Sequence, residues 1–352
     1  MLLKKQIIFF LIVLVSVVAF SFDLSFYNSF ETLMMGNTFT GIANDVNAVY
    51  YNPAGLTNSS GFVFDIPNVN VNASYGIGSS VVKALTHLNE IKTVLDSKNN
   101  AYIADYFLKN YGQALLNTNR AVVGTNGYVG YDGENFALGV SAFSQAYVQT
   151  FVSNDIIPSV SLHAKAAAYV EGVGALAFKI FNVKFSFGGT YRYGYVMPQI
   201  YSINNLSLLV VASSSTALNP NLTYEATSNI DLGLKVSVDH VNFGGLWHNV
   251  TNSSTPDLRI GTGLVTRNLA IGVDFDKLLD NRYSFFRRLH IGVKYTPFDF
   301  VKLYGGLSAG WFVGGAELKL GFIKFYGGTY VMNTGFHAGY GYQRMYTIGF
   351  GL

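Results

Sequence analysis

From Gly61 onward, apolar and polar side chains exchange places with a period of two over most of the chain. That is the pattern of strands with one apolar and one polar face. It is clearest in Val183-Lys184-Phe185-Ser186-Phe187-Gly188-Gly189-Thr190-Tyr191-Arg192-Tyr193-Gly194-Tyr195, where bulky side chains hold the odd positions. One phase also runs through 157–181: Val160, Leu162, Ala164, Ala166, Ala168, Val170, Leu176, Phe178 and Ile180 share a face, opposite Ser161, His163, Lys165, Tyr169, Glu171 and Lys179. A single long strand follows, in spite of Gly172 and Gly174. Near the start, Val69, Val71, Ala73 and Tyr75 alternate with Asn68, Asn70, Asn72 and Ser74. Pro67 breaks the phase set by Phe62, Phe64 and Ile66, which marks an edge, a bulge or a kink.

Fourteen strands are predicted: 61–76, 121–131, 134–150, 157–181, 183–197, 225–239, 241–250, 257–266, 268–277, 287–296, 299–309, 311–319, 321–332 and 337–352. An even count lets a single chain close into an antiparallel barrel with short turns at one end and longer loops at the other. The short turns fall near Asp132-Gly133, Asn182, Asp239-His240, Arg267-Asn268, Pro297-Phe298 and Lys319-Leu320; the long connections 77–120, 198–224 and 278–286 share the opposite end. Within 77–120, Val82, Leu85, Leu88, Ile91 and Leu95 recur at three and four, and Tyr102, Tyr106 and Phe107 continue the pattern. A helical insertion near 79–118, on the extracellular side, is expected.

Composition decides which kind of β-protein this is. Charged residues make up 12% of the 352, against about a quarter in soluble domains. There are 28 Phe, 24 Tyr and 37 Gly, and no apolar run beyond the N-terminus approaches the roughly 18 residues of a spanning helix. The apolar face is rich in Tyr and Phe, as in the interfacial girdles of a membrane barrel, and the other face carries Gly, Ser, Thr and scattered charge, as a lumen would. The fold class is therefore all-β, a transmembrane antiparallel β-barrel of about 14 strands. A secreted soluble β-protein is the alternative. Residues 1–21 read as a signal peptide: Lys4 and Lys5, an apolar stretch from Gln6 to Val18, then Ala19 and Ser21 before the cut. Localisation in the outer membrane after cleavage follows, with outer-membrane lipids as surroundings. The final strand, with Tyr340, Tyr342, Tyr346, Ile348, Phe350 and Leu352 on one face, resembles the signal read by the barrel assembly machinery. It departs in ending on Leu352 and in placing Arg344 on the apolar face.

No catalytic constellation is present, so no enzyme activity and no cofactor are expected. With no cysteine, thiol chemistry and cysteine-ligated metals are excluded. The six histidines, His87, His163, His240, His248, His290 and His337, do not pair at metal-ligand spacing. Asp257, Asp280 and Asp299 are expected to be solvated loop carboxylates. Gly305-Gly306 and Gly314-Gly315 lack a phosphate-loop context and are expected where strands bend. A net charge of +3 gives no reason to expect nucleic acid. On the polar face, His163, Lys165, Lys184, Arg192, Asp231, Lys235, Asp274, His290 and Lys294 are the lumen candidates. They either orient an anionic head group or brace the wall through ion pairs.

Residues 22–60 do not alternate. Met35-Gly36, Gly41-Ile42-Ala43-Asn44-Asp45 and Ala48-Val49-Tyr50-Tyr51-Asn52-Pro53-Ala54-Gly55-Leu56 mix small residues with Asn and Asp, suited to a compact turn cluster. This stretch resembles the N-terminal signature of the FadL-like outer-membrane proteins, which include long-chain fatty-acid and hydrocarbon transporters, PorV-like barrels and conjugal-transfer TraF-like proteins. The resemblance implies that 22–60 form a hatch, or plug, inside the barrel 61–352, with Asn52, Pro53 and Ala54 at the junction and Pro67 as a strand kink. It also implies a channel for passive uptake of small hydrophobic molecules, with a hydrophobic ligand as partner. The alternative function is a non-transporting assembly, secretion or conjugation-related surface protein of the PorV-like or TraF-like kind, with the helical insertion as its contact surface.

Overall fold

The computed structural model describes residues 27–58, 61–97, 119–152, 160–197, 224–251, 256–333 and 342–352, together with Asn99, Tyr102, Asp105, Tyr106, Lys109 and Asn110. The signal segment and most of the second half of the helical insertion lie outside these residues. Fourteen strands form: β1 Gly61–Ser74, β2 Arg120–Asp132, β3 Phe136–Val152, β4 Val160–Ile180, β5 Val183–Met197, β6 Glu225–Val238 and β7 Val241–His248. They continue as β8 Asp257–Val265, β9 Leu269–Phe275, β10 Leu289–Phe298, β11 Val301–Ser308, β12 Trp311–Leu320, β13 Ile323–Asn333 and β14 Tyr342–Gly351. Each pairs antiparallel with its neighbours, and β1 pairs with β14 through Val69–Ser74 and Met345–Phe350, closing the barrel. Closure leaves no open sheet edge.

The partition of side chains is the inverse of a soluble protein. Phe62, Leu138, Phe178, Leu176, Ile348 and Phe312 stand 91%, 67%, 49%, 68%, 69% and 79% exposed on the outside, while Glu171, Arg192, Asp231 and Lys235 are within 1% of full burial inside. An outer surface this apolar, continuous around a closed wall, matches a bilayer and not water. Phenylalanines dominate its short-turn end (Phe62, Phe136, Phe178, Phe298, Phe300, Phe325), and Tyr193, Tyr195, Tyr342, Tyr346 and Trp247 mark the other. The chain is an integral membrane barrel.

β4 is one strand of 21 residues with no turn at Gly172 or Gly174. Pro67 sits where the β1–β2 register shifts between Asp65 and Asn68; a residue without an N–H donor falls where the ladder is interrupted. Two turns lie two residues beyond their expected places, at Asp299-Phe300 and Gly321-Phe322. Pro297 marks a register shift inside β10, between Tyr295 and Phe298, and not the strand's end. Gly321, at φ +64°, supplies the left-handed backbone that the other turn needs. Arg344 reaches along the wall so that Nη1 donates to the Phe312 carbonyl at 2.7 Å, taking its charge towards the rim.

The six connections at the Gly61 end contain two or three residues each; the insertion 75–119 and the 198–224 connection lie at the other end. Short turns of such barrels face the periplasm, which orients the molecule. The insertion contains helices Tyr75–Thr86 and Leu88–Asp96, broken at His87, and the first begins directly at the end of β1. Tyr102, Asp105, Tyr106, Lys109 and Asn110 are helical as well.

Candidate functional site

Residues 27–58 lie inside the wall. Met34, Met35, Phe39, Ala43, Val49, Tyr51, Ala54 and Leu56 are wholly buried. The segment holds two short helices, Phe30–Met34 and Ala48–Tyr51, and a 3-10 turn over Pro53–Asn58. Ser29 starts the first helix by accepting from the Thr32 N–H. The Tyr51 hydroxyl ties this cap to the second helix, taking the Ser29 N–H at 3.2 Å and the Thr32 hydroxyl at 2.5 Å. Burial pushes the Tyr51 phenol up to about 12, so it stays a neutral hydroxyl at any physiological pH.

Asn52-Pro53-Ala54 is seated against β5, β6 and β7. Its Asn52 amide donates to the carbonyls of Thr40 at 2.9 Å and Leu234 at 3.0 Å, linking plug to plug and plug to wall. The wall facing it carries Gly188, Gly233 and Gly244; a Cβ at any of them would overlap Pro53, Ala54, Asn52 or Thr40. Gly306 and Gly315 do the same for Met35 and Met34 on the far side. One glycine of each pair on β11 and β12, Gly306 and Gly315, thus makes room for the plug.

The lumen candidates reach this segment through its main chain. Asp274 accepts the N–H groups of Phe39 at 2.8 Å and Thr40 at 2.6 Å. The His290 Nδ1 donates to the Gly36 carbonyl at 2.7 Å, and its Nε2 lies 3.3 Å from Asp276. Lys235 donates to the Ala43 carbonyl, and Lys184 to that of Thr57. Lys294 instead forms an ion pair with a plug side chain, Glu31, at 2.6 Å. Lys165 is half-buried on the lumen phase of β4, and the side chain of His163 lies outside the described residues.

Arg192 and Asp231 engage each other. The Arg192 Nε meets Glu171 at 2.6 Å and its Nη2 meets Asp231 at 2.8 Å. Asp231 also takes His248 Nδ1 at 2.9 Å and the Asn249 N–H at 2.8 Å, while Ser141 donates to Glu171. The guanidinium stands 5.8 and 5.9 Å from the rings of Phe143 and Tyr169. This row joins β3 to β7 and sets one guanidinium between two buried carboxylates. Asp257, expected to be solvated, is 1% exposed and paired with Arg259 at 2.7 Å and Lys277 at 3.4 Å; the inward phase of β8 places Arg259 beside it, and Lys277 comes from just beyond β9. Asp280 meets Arg282 at 2.6 Å.

One lumen-facing cation lay outside the sequence-derived set. Arg120 opens β2 one residue before the expected start and faces the lumen, 8% exposed, on the extracellular side of the plug. Among the described residues its Nε and Nη1 have no partner, nor does the Oε1 of Gln149, its register neighbour on β3. Tyr147, Tyr330, Met332 and Met345, all buried, stand at the same end, and the Tyr147 hydroxyl lies 3.8 Å from the Met332 sulfur. The signal that marks Arg120 is its even-numbered phase, shared with Val122 and Asn126. The arrangement is a buried aromatic and thioether cluster with the Arg120 cation beside it, above a plug held by hydrogen bonds.

No family model matches the chain, and no curated protein does either. Solved structures do. A monoaromatic hydrocarbon channel, TodX, in a deletion variant, superposes with TM-score 0.55 at 9% identity, covering 94% of this chain and 99% of that one. The toluene transporter TbuX of Ralstonia pickettii gives 0.53 at 11%, covering 94% and 99%. The toluene transporter TodX of Pseudomonas putida gives 0.52 at 10%, covering 94% and 98%. The fold is that of the FadL-type outer-membrane barrels, closed by 14 strands and present almost end to end.

Proposed function

We propose that this protein is an outer-membrane channel for passive uptake of small hydrophobic molecules. The observation that carries the proposal is the occupied lumen: residues 27–58 lie inside a closed wall, tied to it by hydrogen bonds to their main chain, with buried Tyr147, Tyr330, Met332 and Met345 at the extracellular end. Such bonds contribute about 1 kcal/mol each net, so a plug held by a handful of them can shift without unfolding the barrel. The likeness to channels described as carrying monoaromatic hydrocarbons and toluene supports the same substrate class here. Arg120, with Nε and Nη1 unpartnered among the described residues, gives the extracellular end of the lumen a polar anchor for an amphipathic cargo, and the plug acts as the hatch.

The filled lumen favours a second reading. Met34, Met35 and Phe39 are wholly buried, as they would be in a non-transporting surface protein whose plug is purely structural. A liposome uptake assay with alkanes, fatty acids and sugars, run with the full chain and with residues 22–60 deleted, separates the two. Channel function predicts uptake of alkanes or fatty acids by the full chain and unselective leakage, sugars included, after deletion. Absence of apolar uptake by the full chain, or permeability unchanged by the deletion, overturns the hatch mechanism.

A further inference from the structure

A cavity of about 530 Å³ lies on the periplasmic side of the plug, between hatch residues Asn44, Thr57 and Asn58 and the wall of β4 to β7. Its chemistry is set by one cross-strand row. Lys179 on β4 is directly opposite Lys184 on β5, Lys184 is opposite Ser237 on β6, and Ser237 is opposite Asn242 on β7. Lys235 sits two residues before Ser237 on the same face of β6. Like charges placed directly opposite destabilise a sheet, and this pair stands beside a third lysine.

Lys235 is 1% exposed, yet its ammonium is met by a neutral acceptor, the Ala43 carbonyl. Lys184 donates to the Thr57 carbonyl and, at 3.4 Å, to Asn58 Oδ1. Among the described residues, no carboxylate lies within 4.0 Å of either. Glu134 and Asp239 stand on exposed turns at the rim of the cavity, and Asp45 lies next to Asn44 along the hatch. The Ser237 Oγ is buried and has no partner among the described residues. Cationic and hydroxyl donors therefore converge on one side of the space, where their present partners are neutral, while the carboxylates of Glu134 and Asp239 lie at its rim.

The geometry points to an oxyanion site at the periplasmic mouth, in which a phosphate or carboxylate group is held by Lys184, Lys235 and Ser237. A charged oxygen is a stronger acceptor than the hatch carbonyls that those lysines now reach. The row Lys179-Lys184-Ser237-Asn242 matches the several donors that such a group needs. The site stands independently of the uptake reading.

The test is calorimetric titration of the full-length protein in detergent micelles with inorganic phosphate, and separately with hexanoate, chloride being adjusted to keep ionic strength constant. Saturable binding of one equivalent is expected, weakened at least tenfold in Lys184→Gln and measurably in Ser237→Ala. Heat-modifiable gel migration verifies that each variant is folded, and Lys184, being only half-buried, is the variant expected to retain the barrel. Binding of phosphate alone identifies a phosphorylated ligand, and binding of hexanoate alone a carboxylate-bearing one; either supports the site. Absence of saturable heat with both probes overturns it, and so does affinity that is unchanged in folded Lys184→Gln.

Discussion

At the scale of single residues, the lumen separates charges that pair with one another from charges that hold backbone. Arg192 belongs to the first kind. Its removal leaves Glu171 and Asp231 buried without their cation, and breaking such a pair costs about 3–5 kcal/mol. Arg192→Met is therefore expected to lower the temperature of the folded-to-unfolded gel shift markedly. Adding Glu171→Gln and Asp231→Asn to it recovers most of the loss, since no uncompensated charge then remains. Asp274 belongs to the second kind. Both amides, of Phe39 and Thr40, share the one Asp274 oxygen, Oδ2, so Asp274→Asn can keep an acceptor there but removes the charge that strengthens both bonds, a loss of about 1–3 kcal/mol. Hydrogen exchange at those two amides, followed by mass spectrometry, is expected to quicken by tenfold or more while the strand amides stay unchanged.

Asp45 titrates differently in the folded chain. Burial and then the neighbouring Glu31 push its carboxyl from an ordinary 3.8 up to about 6. Between these two values the folded chain keeps a proton that the unfolded chain has released, so stability falls as pH rises through this window. The penalty is absent below the lower value and complete above the upper one. Since Asp45 is partly exposed, its size is on the order of 2 kcal/mol. Asp45→Asn is expected to flatten the stability profile between about pH 4 and 6 and to stabilise the protein at neutral pH. An unchanged slope would show that another group carries the dependence.

At the scale of elements, the strands were legible because the period of two is imposed by the wall itself. Every outward position meets lipid and every inward one meets plug or solvent, so β4 declares itself a single strand over 21 residues. Where sequence misled, a local cue competed with that pattern. Pro297 suggested a terminus although the strand passes through it with a register shift. Gly306 and Gly315 suggested bends although the reason for them lies across the lumen, in residues more than a hundred positions away. Gly188 tests this account. A Cβ there would overlap Pro53 and Ala54, and strand propensity alone would favour a larger residue. Gly188→Val is expected to leave a folded, heat-modifiable barrel in which chymotrypsin cuts the plug at Tyr50 or Tyr51 faster than in the parent. Resistance equal to the parent's would contradict the seating of Asn52-Pro53-Ala54 on this strand.

At the scale of the molecule, architecture was readable and partnership was not. The fourteen-strand count, the side carrying the long loops and the odd status of 22–60 all follow from pattern. Which lumen residue meets which does not, because a polar inward position looks the same whether it faces water, another strand or the plug. His248 and Glu171 gave no sign of joining Arg192 and Asp231; only the stagger of β4 through β7 brings them level. Arg120 was passed over because it sits at a strand's first residue, where periodicity is weakest.

The wall recognises the plug largely by its main chain: Gly36, Phe39, Thr40, Ala43 and Thr57 offer carbonyl oxygens or N–H groups to His290, Asp274, Lys235 and Lys184. Physically, the N-terminal segment is a tethered ligand. It joins β1 at Gly61, only three residues beyond the end of its last turn at Asn58. Tethering sets its local concentration in the millimolar range, so weak contacts keep the site occupied. A free peptide of the same sequence would need far more of itself in solution to do so. On the uptake reading proposed above, a small cargo competes with a concentration, not with a tight bond, and a longer linker between Asn58 and Gly61 would tilt that competition with no change in any contact.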